Sequence, residues 1–218
     1  DLKNWEYLHP FVEGDRFTLL GDDGACPYFW PIGDRYILLF FSHMSGGQAL
    51  LGDYDKKRDK FIVTSHHEFN FGAVGPGGVH APSATPDGDG GINVIFNMNP
   101  AKPTEGWNQI MSLPRKLTLK GKDELGIEPL GDIKSLRRKH QHLDRVSLPA
   151  NEEVVLEDIE GNAIELKAEI ETNNAPMVEL NVLRSPDKEE ITRIVFYRER
   201  GFRNWERYSG WDGKRVSK

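Results

Sequence analysis

The apolar residues of this chain gather in short runs parted by clusters of Gly, Pro and Asp, a pattern that predicts β-structure almost throughout. Tyr36–Ser42, led by Gly33 and Asp34 and followed by Gly46 and Gly47, reads as a buried strand. Asn93–Asn97 follows the turn cluster Asp87–Gly91 and reads the same way. Asn108–Leu113 and Lys116–Leu119 predict two further pieces, interrupted by Pro114 at a strand edge or a break. Between Lys122 and Arg138 the apolar residues Ile127, Leu130, Ile133 and Leu136 fall three apart, which suits a short helical or extended connector rather than a strand. Beyond it the alternation is cleaner. Ile164, Leu166, Ala168 and Ile170 share one face of a run whose other face is charged, and Val178–Val182 and Ile191–Tyr197 continue the theme. One buried and one solvated face is the pattern of an antiparallel sheet. The expectation is an all-β chain, a propeller, sandwich or barrel, with a change of character at about residues 120–140.

Composition narrows the classes of function. The 218 residues are 38% hydrophobic and 28% charged, enough to bury a core and unlike a disordered chain. A net charge of −6 argues against a general affinity for nucleic acid or an anionic membrane. No apolar run approaches the roughly 20 residues of a membrane-spanning helix, and Asp1–Tyr7 does not read as a signal peptide. Extracellular and cytoplasmic settings both stay open. A single cysteine, Cys26, excludes an internal disulfide and a cysteine-based metal site.

Candidate chemistry is sparse. Gly21–Pro31 crowds Tyr28, Phe29 and Trp30 beside a turn, where aromatic rings serve either as a sugar-stacking platform or as a core cluster. Asp22 and Asp23 have the chemistry of catalytic carboxylates, but between glycines they read more simply as a turn. His66 and His67 are adjacent, so an extended strand points them to opposite faces and shared metal ligation is not expected. His140 and His142 lie in the basic run of a solvated connector. The Gly-rich stretches 72–78 and 88–91 lack a phosphate-loop lysine, and no Gly-x-Ser-x-Gly elbow is present. Cys26 reads as a small buried packing residue rather than a nucleophile.

Local wording goes further. Asp1-Leu2-Lys3-Asn4-Trp5-Glu6-Tyr7 resembles the "DLxxWE" segment of the invertase and levanase β-fructosidases, glycoside hydrolase family 32. About 20 residues later that family carries Glu-Cys-Pro, where this chain reads Ala25-Cys26-Pro27-Tyr28-Phe29-Trp30. Tyr36–His43 resembles the strand that follows, and Leu51–Asp55 its "xGxYD" strand. Val79-His80-Ala81-Pro82-Ser83 is similar to the "DFYAPQ" segment, with 73–78 as an insertion. Gly106-Trp107 and Met111–Leu117 are similar to "GW…SLPREL", and Glu128–Arg137 to the linker into a C-terminal β-sandwich. The matches run in family order over residues 1–140; the remainder matches by pattern only.

The resemblance implies the last blades of a five-bladed β-propeller over 1–125, a linker over 126–145 and an incomplete β-sandwich over 146–218. It implies retaining release of β-fructofuranosyl units from sucrose or fructans such as levan and inulin. A carboxylate attacks the anomeric carbon, a protonated carboxyl serves the leaving oxygen, and no metal or organic cofactor is called for. Fructosyl transfer on the same fold and non-catalytic carbohydrate binding are the alternatives. Ala25 stands at the position of the acid/base Glu, either as a replacement that traps substrate or as the mark of an inactive relative. Cys26, Tyr28, Trp30, His80 and Trp107 are the expected substrate-side residues. The family's nucleophile and Arg-Asp-Pro motifs lie upstream of "DLxxWE", so a companion chain or segment carrying the first blades is implied.

Overall fold

The computed structural model describes residues 2–70, 77–100 and 102–198. Among them the regular structure is strand, apart from one 3-10 turn at Ile133–Leu136. The chain divides into two compact units, one reaching Asp132 and the next beginning at Ile133.

The first unit holds two antiparallel meanders. Strands β1 (Val12–Glu13), β2 (Ala25–Ile32), β3 (Arg35–Ser42), β4 (Gly46–Asp55) and β5 (Lys60–Glu68) form a sheet of order β1-β5-β4-β3-β2, with β1 parallel to β5. Strands β6 (Gly78–Pro86), β7 (Ile92–Asn99), β8 (Ile110–Met111), β9 (Arg115–Gly121) and β10 (Glu124–Pro129) form a second, ordered β10-β9-β7-β6, with the short β8 also on β7. The two sheets bury a shared core. Ile32, Ile37, Leu39, Ala49 and Leu51 of the first meet Val79, Ile92, Val94, Phe96 and Leu117 of the second. On the other face of the first sheet Phe40, Leu50, Phe61 and Val63 form their own cluster, joined by Phe11 and Phe29. The alternation along β2 serves both: Phe29 packs edge-on to Phe61 at 5.1 Å, while Tyr28 and Trp30 turn to the core between the sheets. The aromatic run is thus itself a strand rather than a turn before one.

A buried cation ties the sheets together. The Arg35 side chain is 4% exposed and donates to Asp53 at 3.1 Å, Thr64 at 2.8 Å and Asp123 at 2.8 Å. It also donates to the Lys122 carbonyl, so the tip of the β9–β10 hairpin completes its shell. A guanidinium withdrawn from water needs this many acceptors, because its charge has no other compensation. The Gly33 amide adds a 2.8 Å bond to the Gly90 carbonyl, joining the two meanders at their β2–β3 and β6–β7 turns.

Three expectations are corrected. Lys122–Arg138 is a connector only in part: β10 pairs with β9 from Glu124 to Pro129, and short helical structure begins at Ile133. Residues 126–129 therefore belong to the second sheet. In the second unit β11 (Met177–Val182) and β12 (Thr192–Tyr197) pair as expected, but 163–170 is not a strand. Its alternation finds no partner ladder among the described residues, and Ile164, Leu166 and Ile170 stay about two-fifths exposed (42%, 39% and 41%). Period-two patterning selects a face only after backbone pairing has made a strand. The expected strand over 108–113 shrinks to Ile110–Met111, with Pro114 between it and β9.

Candidate functional site

The expected site residues lie largely at one end of the first unit, where β2 and β6 begin and β3 ends. Ala25 pairs with Phe41, and Tyr28 pairs with Leu39, so one extra residue sits in β2 between them. This is a β-bulge at Cys26–Pro27, and Cys26 adopts φ +51°. A left-handed backbone at a non-glycine residue is a strained setting of the kind held in place at functional sites. The bulge takes Cys26 out of the strand alternation and leaves it exposed, which corrects the expectation of a buried packing residue.

A second bulge opens β6. Val79 pairs with Met98 and Pro82 with Phe96, leaving His80–Ala81 with the extra residue. His80 is buried, its ring 4.4 Å from that of Phe41. The Phe41 ring also meets that of His43, edge-on at 4.7 Å. Phe41 is therefore the hub that brings Ala25, His80 and His43 to one place. Trp107 lies in the exposed loop before β8, near the same end of the second sheet, and its carbonyl accepts from Thr104. Tyr28 and Trp30 are half-buried against the core. The insertion proposed for 73–78 falls mostly outside the described residues.

The two aspartates read as a plain turn do more than turn the chain. Asp22 accepts from the Ser42 hydroxyl at 2.6 Å, the Ser45 hydroxyl and the Leu19 amide at 2.7 Å. Gln48 donates to Ser45 at 2.7 Å, and its carbonyl oxygen accepts from His66 Nε2 at 2.6 Å. A continuous hydrogen-bonded chain thus runs from His66 on β5 to the loop before β2. Burial works to raise the Asp22 pKa, but the Ser42 and Ser45 hydroxyls outweigh it and hold the carboxyl below its ordinary value. Asp23 receives the His43 amide at 2.8 Å and approaches His43 Nδ1 to 2.6 Å. The amide bond first, and then the imidazole, keep Asp23 below its usual range.

His43 follows the apolar run of β3 and carries no sequence motif of its own. Counting outward from the Gly33–Asp34 turn puts residues 23–25 across from 42–44, and the bulge in β2 moves Ala25 onto Phe41, so His43 meets Asp23 only through the shifted register. Among the described residues no group of three or more His, Cys, Asp or Glu side chains could hold a metal ion. No protein-family model matches this chain, and none of the curated proteins matches it.

Proposed function

We propose that this chain is part of a retaining glycoside hydrolase that releases terminal β-fructofuranosyl units from sucrose or fructans. In this reading the two meanders of the first unit are consecutive blades of a five-bladed propeller, and the second unit is part of a β-sandwich. The observation that supports it best is the juxtaposition at Phe41. Two face-packed meanders, each opening with a bulged strand, bring the Ala25 and His80 motif positions to a common ring. Consecutive propeller blades pack face to face and present such strand ends on one side. Fructosyl transfer would use the same groups.

Ala25 favours one other reading, a carbohydrate-binding relative without turnover, because a methyl group neither gives nor takes a proton. The test is made on the full-length protein carrying Ala25→Glu. Release of fructose from sucrose, levan or inulin supports hydrolysis, and formation of longer fructans supports transfer. Saturable fructan binding without either product supports the binding relative. A variant that neither binds nor cleaves fructosides overturns the reading.

A further inference from the structure

We propose that His43, oriented by Asp23, is the proton-transfer residue of this site, acting as general acid and base on a fructoside where Ala25 offers no carboxyl. The inference rests on the function proposed above and adds a residue to it. Its ground is the geometry of the pair. Asp23 Oδ2 stands 2.6 Å from His43 Nδ1, and Asp23 Oδ1 takes the His43 amide at 2.8 Å, so backbone and ring are held by one carboxylate. An ionised carboxylate only accepts, which assigns the Nδ1 proton and leaves Nε2 as the nitrogen that exchanges protons. This is how an aspartate orients a histidine for acid/base work.

Placement supports the same role. Ala25 pairs with Phe41, and the Phe41 ring lies against His43. The His43 side chain is 72% exposed, within reach of a substrate approaching this end. The Asp22–Ser45–Gln48–His66 chain fixes the adjoining loop, so Asp23 is presented by a supported backbone. Among the described residues, the titratable groups around His43 are Asp23 from the loop before β2, His80 across Phe41 from β6, Cys26 at the bulge, and Asp22 bonded to the adjacent Ser42.

The chemistry balances. A carboxylate of the full protein attacks the anomeric carbon of the fructosyl unit while the bond to the glycosidic oxygen breaks. The electron pair leaves with that oxygen, which takes the proton from Nε2 of the imidazolium. In the second half water attacks the same carbon, the carboxylate departs with its bonding pair, and neutral Nε2 accepts the proton from water.

The experiment compares the full-length protein with its His43→Gln, Asp23→Asn, Asp23→Glu and Ala25→Glu variants. The unaltered protein is expected to release fructose from sucrose. His43→Gln is expected to lower kcat/KM on sucrose by about 10²–10⁴-fold, but by less than about tenfold on an activated aryl fructofuranoside whose leaving group needs no proton. Asp23 is a positioning residue, so its readout is separate. Nitrogen-15 NMR should show the His43 Nδ1–H tautomer, lost in Asp23→Asn and regained in Asp23→Glu, with the alkaline limb of the kcat/KM pH profile, where the general acid loses its proton, shifting in step. An unaltered protein that is inactive while Ala25→Glu is active overturns the His43 proposal and leaves the hydrolase reading standing. Activity on sucrose that survives His43→Gln, or a tautomer indifferent to Asp23, also overturns it. Inactivity of both the unaltered and the Ala25→Glu proteins overturns the hydrolase reading and His43's role together.

Discussion

Asp123→Ala removes one of the two carboxylates that hold the buried Arg35 guanidinium, and the contacts set the size of the effect. Asp123 accepts from Arg35 at 2.8 Å and from the Thr64 hydroxyl, with 42% of its side chain exposed. A hydrogen bond to a charged partner contributes about 1.5–3 kcal/mol. Water replaces part of that on the exposed side of Asp123, but at 4% exposure Arg35 itself has little water to turn to. The expected loss is about 2 kcal/mol. Asp53→Ala should cost less, about 1 kcal/mol, because Asp53 accepts a single 3.1 Å bond from Arg35 and is 59% exposed. Urea unfolding reads both: with a slope of about 1–3 kcal/mol/M, the Asp123 variant should unfold roughly 1 M earlier. In an Arg35→Met background the Asp123 change should cost almost nothing, since no buried charge remains to be left uncompensated. A midpoint that does not move, a larger effect at Asp53, or an undiminished Asp123 effect in the Arg35→Met background would refute the clamp.

Three further outcomes follow from particular positions. Asp87, 6% exposed, pairs with Lys116 at 2.7 Å and accepts the Asp89 and Gly91 amides, and the Lys116 contact first among these lowers its pKa to about 2. A folded value below the unfolded one stabilises above the unfolded pKa, so this contribution should persist to about pH 4 and fade as pH falls toward 2; a carboxyl titration by NMR near 4 contradicts it. Gly52→Ala would put Cβ 2.2 Å from the Ile62 carbonyl oxygen and should cost about 3 kcal/mol, against about 1 kcal/mol for Gly88→Ala, where only φ of +89° resists; equal losses in thermal unfolding would count against it. Native Cys26 should react with a maleimide as fast as a free thiol, because the bulge turns it outward; protection until unfolding would place it inside.

The strand content was readable where short apolar runs lay between turn signals, as in β3, which is buried along most of its length, and β7, whose Ile92, Val94 and Phe96 are buried. It was unreadable where local pattern and partner disagreed. β10 carries Gly126 and Pro129, poor strand formers, yet pairing with β9 fixes it. Residues 163–170 alternate well and stay irregular. At the candidate site the Ala25 and His80 positions could be named from motif wording. Cys26 could not be placed, because a bulge reverses which face a residue takes. Asp22, Asp23 and His43 escaped because their roles come from contacts between residues some 20 positions apart, visible only through the hairpin register.

The Arg35 shell also bears on how the chain is made. Every strand of the first sheet has emerged by Glu68, but Lys122 and Asp123, two of the acceptors around the guanidinium, have not. At ~5–20 residues per second the ribosome needs a few seconds more to supply them. Through that interval the first sheet carries a cation whose shell is incomplete and an apolar face whose partner sheet is still being synthesised. The shell of the Arg35 guanidinium is therefore completed only when the β9–β10 hairpin, made last of the first unit's strands, has arrived.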